Sequence, residues 1–214
     1  MTRIIQGVNA FRDKVFTEKQ GLFEQLSKGQ RPLAMFITCA DSRIDPNLLT
    51  QTEPGELFVQ RNAGNLIPPV GSPANGEAAG IEYAVCHLKV RDIIVCGHSQ
   101  CGAMQGVIQP DALGNMKSVA DWLHYADPCY ERAKLRFPQA VGSELVQAVI
   151  EQNVLLQIDH LKSYQQVQDA IATGNLRVHA WVYRFEYGEV LAYDASQDRF
   201  VALPEDTRQK LLMH

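Results

Sequence analysis

No stretch of this sequence approaches 18 consecutive apolar residues, so no membrane-spanning helix is expected. The start, Met1-Thr2-Arg3 followed by alternating apolar and polar residues, lacks the apolar run of a secretory signal. An excess of positive charge is also missing. Twenty Lys and Arg face 24 Asp and Glu, a net charge of −4, which speaks against a non-specific nucleic-acid binder. Neither a G-x-G-x-x-G nor a Walker A loop occurs, which disfavours a nucleotide enzyme. The five cysteines, Cys39, Cys86, Cys96, Cys101 and Cys129, are odd in number and irregular in spacing, so a disulfide framework is not expected. The cytoplasm is the expected location, with a bacterial microcompartment as the alternative.

What is present is an ordinary globular composition, 46% hydrophobic and 21% charged over 214 residues, enough for one domain with its own core. Residues 3–28 repeat apolar side chains at helical spacing: Ile4, Ile5, Val8, Phe11, Val15 and Phe16, then Leu22, Phe23 and Leu26. A break near Gly21 predicts two helices. The arm they form, residues 1–30, has an apolar face that needs another surface to cover it, such as a partner subunit. The period then changes. Residues 33–39 (LAMFITC), 56–61 (ELFVQR), 91–96 (RDIIVC) and 178–185 (VHAWVYRF) read as strands, the third ended by Gly97. Helices are predicted over 77–88, 118–125 and 143–161. Residues 189–193 and 199–203 read as an antiparallel pair at an edge. The expected fold class is therefore α/β. A mostly parallel central sheet of about four strands carries an antiparallel edge, with helices on both faces and a helical arm in front. A single domain over 1–214 is expected, its α/β core spanning 31–205.

Two clusters follow strands. Cys39-Ala40-Asp41-Ser42-Arg43 comes directly after the first, and Gly97-His98-Ser99-Gln100-Cys101-Gly102 directly after the third. Ligands of open parallel sheets bind beyond the carboxyl ends of strands, where the strand order reverses. If these two strands are neighbours, two thiols, an imidazole, a carboxylate and a guanidinium converge. Two Cys and one His are a catalytic zinc set with a fourth position left for water or substrate, and thiolates select zinc over magnesium or calcium. The plain alternatives are a cysteine that fills the core, which is the reading for Cys86 and Cys96, a satisfied loop histidine at 98, and a strand-end ion pair at Asp41 and Arg43. His124, His160, His179 and His214 lack such company and read as structural or exposed. The second cluster nearly matches a G-x-S-x-G nucleophile elbow around Ser99, but its last glycine is displaced to position 102.

With these residues assembled, the chain resembles the β-class carbonic anhydrases, in their bacterial, plant-type branch. C-x-D-S-R and G-H-S-x-C-G are similar to that family's two signatures. So are P-G-E-L-F-V-x-R-N-A-G-N over residues 54–65, I-E-Y-A-V over 81–85 and H-A-W-V-Y over 179–183. The resemblance runs from about residue 3 to 203. It implies one zinc per chain held by Cys39, His98 and Cys101. It implies a catalytic dyad of Asp41 and Arg43, and a substrate cleft including Gln30, Phe58 and Tyr83. Phe58 and Tyr83 would come from across a dimer interface, and the Gly102 N–H would bind a product oxygen. A homodimer is then the minimal unit, within assemblies that reach tetramers and larger. His87 matches a position considered for proton relay, although a solvated helix histidine is the plain reading. One branch of the family closes its zinc with the dyad aspartate, here Asp41, as fourth ligand, and is associated with a bicarbonate pocket of Trp, Arg and Tyr. Arg61 and Tyr183 match that pocket, but Phe36 stands at the Trp position and lacks the indole donor. The open type is therefore expected.

The implied reaction is CO₂ + H₂O ⇌ HCO₃⁻ + H⁺, with a zinc-bound hydroxide as nucleophile, oriented by Asp41, which Arg43 holds ionised. CO₂ is small and apolar, so its pocket should be narrow and apolar. Phe58, Ala63 and Tyr83 suit that, with Gln30 as the polar contact; as core aromatics Phe58 and Tyr83 would need no such role. Two thiolates cancel the formal charge of Zn²⁺, so bound water should be less acidic than beside three neutral imidazoles. Activity is therefore expected to rise above pH 7, and a rate profile already flat at pH 6 would contradict this. The alternatives are a carbonyl sulfide or carbon disulfide hydrolase on the same fold, separable by a substrate panel, and a non-catalytic zinc-stabilised scaffold subunit.

Overall fold

The computed structural model describes residues 1–203. The end of the predicted core at 205 and His214 lie outside the described residues. The arm begins with α1 (Thr2–Ala10), prolonged through a wider π-helical stretch, Phe11–Val15, and Phe16–Glu18. It breaks at Lys19 (φ −109°, ψ 22°) and resumes as α2 (Gln20–Leu26). The break thus falls just before Gly21, which lies inside the second helix. Ile4, Ile5, Val8, Phe11, Val15 and Phe16 are exposed, as an arm built to meet another surface requires.

The sheet has six strands: β1 (Ala34–Cys39), β2 (Leu57–Asn62), β3 (Asp92–His98), β4 (Arg177–Arg184), β5 (Glu189–Asp194) and β6 (Arg199–Ala202). Their order is β2-β1-β3-β4-β5-β6. The first four are parallel and the last two antiparallel, as the sequence predicts. β1 lies between β2 and β3, so the order reverses there, and the ends of β1 and β3 flank the switch point. All six residues of β1 are buried, which is why it reads as an unbroken apolar run.

Alternation splits the two faces. Met35, Ile37 and Cys39 join the larger core, with Ile93, Val95 and Val182. Ala34, Phe36, Ile94 and Cys96 form a smaller cluster on the other face with Trp181 and Tyr183. Seven helices lie between β1 and β4, four more than the three foreseen. They are α3 (Pro46–Thr50), α4 (Gly76–Glu82, continued by Tyr83–Leu88), α5 (Gly102–Ile108), α6 (Lys117–Leu123), α7 (Pro128–Arg136), α8 (Gly142–Leu161) and α9 (Gln165–Ala172), of which α3, α5, α7 and α9 were not foreseen. α3 is short and is announced only by its cap: Asp45 accepts from the Asn47 and Leu48 N–H groups, with Pro46 at the first helical position.

Two expectations are corrected. Cys96 is fully buried, and burial pushes its thiol up to about 12, as core filler should behave. Cys86 is exposed instead of buried, because it falls on the outward side of the Tyr83–Leu88 turn. The third strand does not end at Gly97. Its ladder continues through Gly97↔Val182 to His98↔Tyr183. Gly97 serves close packing: a Cβ there would stand 2.8 Å from Val154 Cγ2 and 3.2 Å from Ile150 Cγ2, both on α8. Gly97→Ala is therefore expected to destabilise the fold by about 1–3 kcal/mol, read as a lowered urea midpoint. An unchanged midpoint would show that α8 yields freely.

Candidate metal centre

Cys39 ends β1, His98 ends β3, and Cys101 caps the start of α5. All three are buried. One ligand atom from each lies within 4.8 Å of the others, a spacing that suits an ion with bonds of about 2.0–2.3 Å. His98 Nδ1 sits 2.8 Å from the Ser99 carbonyl and so carries the ring proton. Its Nε2 is left with a lone pair, buried and without a hydrogen-bond partner. A buried, orphaned nitrogen beside two sulfurs is costly unless something binds it, and the donor set fits zinc. The hydrogen bond between the two thiols, with the Gly64 N–H in support, holds the Cys39 thiol low, and the same bond together with burial pushes the Cys101 thiol up. Gly64 donates to Cys39 Sγ at 3.4 Å. It does so from φ +82°, where a Cβ would meet Ala103 at 3.1 Å.

Asp41 lies two residues beyond the end of β1. Its Oδ1 accepts from Arg43 Nε at 2.9 Å and from the Arg43 N–H at 2.9 Å, and its Oδ2 accepts from Nη2 at 2.7 Å. Both oxygens are thus occupied by one fork. These bonds hold the Asp41 carboxyl well below the usual carboxylate range. Asp41 Oδ2 is 3.9 Å from His98 Nε2. The dyad and the ligand set, predicted from two separate clusters, therefore meet.

Sequence reasoning missed Phe185, and it named Arg61 without the holding role the structure gives it. The Phe185 ring stacks on His98 with centroids 5.0 Å apart and carries the Arg43 guanidinium at 4.6 Å. It sits just past β4, the other neighbour of β3, so the strand order was the missing signal. Arg61 donates to the carbonyls of Cys39, Asp41 and Ile44 at 3.1, 2.7 and 2.9 Å, pinning the loop that carries the dyad. Phe36 packs against Trp181 at 6.2 Å, and Tyr183 belongs to that same face. Ser99 is no nucleophile-elbow serine: its hydroxyl donates to Glu186 at 2.8 Å and accepts from the Phe185 N–H at 3.1 Å.

The predicted cleft residues divide. Gly102 directly follows Cys101, and Ala63 directly precedes Gly64, whose N–H reaches Cys39 Sγ. Trp122 Nε1 donates to the Ala63 carbonyl at 2.8 Å, and Gly102 opens α5 right after Cys101. Phe58 and Tyr83 pack together at 5.9 Å, but Phe58 pairs with Met35, four residues before Cys39 along β1, a separation of about 13 Å. Gln30 is exposed ahead of β1, at the end opposite Cys39. One chain does not bring these three to its own ligand set. His87 is exposed and stacks on Tyr83 at 4.7 Å. His160 and His179 are structural, bonded to the Ile67 carbonyl and to Asp92, while His124 is exposed and pairs with Asp127.

Comparison with known proteins agrees along most of the chain. A family profile described as "Carbonic anhydrase" matches residues 34–190. The carbonic anhydrase of Synechocystis sp. is 44% identical over 203 residues, covering 94% of this chain and 74% of that protein. That of Pseudomonas aeruginosa is 42% identical, covering 96% and 93%. Among solved structures, the β-carbonic anhydrase CcaA superposes with a TM-score of 0.92 at 44% identity, over 95% of this chain and 99% of that one. One of two tetrameric β-carbonic anhydrases from Sordaria macrospora does so at 0.81 and 29%, over 89% and 95%.

Proposed function

The chain belongs to the β-class carbonic anhydrases, and from that premise we propose how its own residues carry out the reversible hydration of carbon dioxide. Cys39, His98 and Cys101 hold one zinc ion. When bound, zinc supplies an activated water as the nucleophile. The observation that carries this reading is His98 Nε2, buried without a partner among two thiols and 3.9 Å from an aspartate whose two oxygens are both engaged by Arg43.

Asp41 is the orienting acceptor. Its Oδ2 would accept a hydrogen bond from the attacking oxygen, leaving a lone pair of that oxygen directed at CO₂. Arg43 keeps Asp41 ionised and away from the ligand set. The sign of the pH effect follows. The Asp41 carboxyl is depressed in the folded state, so the pair is intact above the ordinary carboxylate range. It is lost only as pH falls through the depressed value. Neutral or mildly acid pH therefore leaves Asp41 on Arg43, which favours the open form. The Gly102 N–H, at the start of α5, binds the product oxygen.

Gln30, Phe58 and Tyr83 complete the cleft of a second subunit. What supports this is their place at the far end of β1 and β2, together with the bare arm. The chain exposes 13178 Å², against roughly 9,900 Å² for a compact monomer of this size, and the arm's apolar face is part of that excess. We place this one-domain enzyme, as a dimer or a larger assembly, in the cytoplasm or a bacterial microcompartment. Chelation is expected to abolish CO₂ hydration and zinc, not magnesium, to restore it. Stripped protein that still hydrates CO₂ would contradict the reading.

A further inference from the structure

The turn between β4 and β5 carries a carboxylate that reaches towards the dyad without touching it. Glu186 accepts from Ser99 Oγ at 2.8 Å and from Gln100 Nε2 at 2.6 Å. Gln100 is held at φ +53°, the left-handed region that a residue with a Cβ seldom adopts without a reason. In that conformation its carbonyl accepts from Arg43 Nη2 at 3.2 Å. Arg43 in turn grips Asp41. A continuous chain therefore runs from Glu186 through Gln100 and Arg43 to Asp41.

The plain reading is that Glu186 only ties the turn to the sheet. The turn is tied already. The Ser99 N–H donates to the Tyr183 carbonyl at 2.8 Å, and the Phe185 N–H donates to Ser99 Oγ at 3.1 Å. The bond to Gln100 adds nothing to that attachment. What it fixes is a strained residue whose carbonyl meets the guanidinium. Arg43 needs such a fix, because its side chain is 46% exposed. Among the described residues, the Gln100 carbonyl and the Phe185 ring are what set its place beyond Asp41.

We propose that Glu186 is a positioning residue for CO₂ hydration, holding the Gln100 carbonyl where it completes the seat of Arg43. The proposal rests on the reading of Asp41 and Arg43 as the reacting dyad.

Gln100→Glu is the sharp test. It sets two carboxylates against each other with no donor between them, so the link to Glu186 is broken while Glu186 keeps Ser99. Glu186→Gln alone would leave the link in place, because the Gln100 amide can turn over and accept. Gln100 borders an open cavity of about 880 Å³, so the change meets solvent and not packed side chains. In zinc-loaded protein kcat/KM is expected to fall about fivefold, with zinc content and thermal midpoint unchanged. A crystal structure of the variant is expected to show Arg43 off the Gln100 carbonyl. Adding Glu186→Gln restores a donor–acceptor pair in the reverse sense, and is expected to recover at least half of the loss. Unchanged kcat/KM with Arg43 in place would overturn the proposal. A loss that comes with less zinc or a lower midpoint, and that adding Glu186→Gln does not recover, would make Glu186 merely structural. Arg43 displaced at full activity would instead sink the dyad reading, and the proposal with it.

Discussion

Asp41→Asn is expected to keep its zinc and lose about a hundredfold in CO₂ hydration, the scale that misplacing a reacting group by about 1 Å can cost. The amide is the same size as the carboxylate, so the loop geometry should survive. Its chemistry is inverted at one atom. Where Asp41 presents two acceptors to Arg43 and a free lone pair to the reacting oxygen, Asn presents one acceptor and one donor. Arg43 loses its bidentate partner, and the attacking oxygen loses the group that orients it. The metal ligands are untouched. Zinc assay and stopped-flow hydration on the same preparation separate the two effects. Wild-type turnover in the variant would remove Asp41 from the mechanism, and lost zinc would make it a ligand and favour the closed form.

Cys39→Ser should have the larger effect, about a thousandfold or more, because it acts on the metal and so on the acidity of the attacking water. Serine is nearly isosteric, and its hydroxyl can still accept the Gly64 N–H that now meets the sulfur. The fold should therefore stand. A neutral hydroxyl is a poor zinc ligand beside a thiolate, so zinc content should fall well below one per chain. Cys96→Ser at the opposite face is the control. Cys96 is buried away from the ligand set, so that variant should keep its zinc whatever it loses in stability. Full zinc and activity in Cys39→Ser would show that Cys39 is only core filler.

Much of this was legible in the sequence because the chemistry sits at strand ends, and strand ends are marked by abrupt change. Apolar runs stop at Cys39 and near His98, and polar clusters begin there. The parallel order followed from strands alternating with helices. What stayed hidden depended on facts that local pattern does not carry. Gly97 looked like a strand terminator, and only the approach of α8 to within 2.8 Å of its would-be Cβ shows why glycine stands there. Phe185 and Glu186 act from a turn far along the chain, and nothing short of strand order places them beside Arg43 and Gln100; Arg61 was legible as a residue but not as the clamp on the Cys39–Ile44 loop. The helices α5 and α7 carry glycine or charge where a clear apolar stripe would have announced them. Cys86 was misjudged because a cysteine is buried more often than not, and the outward side of one turn decides otherwise.

The central claim is that a Cys₂His zinc centre with an Asp41–Arg43 dyad hydrates CO₂. Stopped-flow hydration from pH 6.5 to 9, on protein of assayed zinc content, tests it most directly. The account predicts one zinc per chain and fast hydration that rises above pH 7 through a single ionisation. A sharp collapse below about pH 8 would contradict the open site and place Asp41 on the metal. Zinc-loaded protein that does not hydrate CO₂ at any pH would contradict the account as a whole.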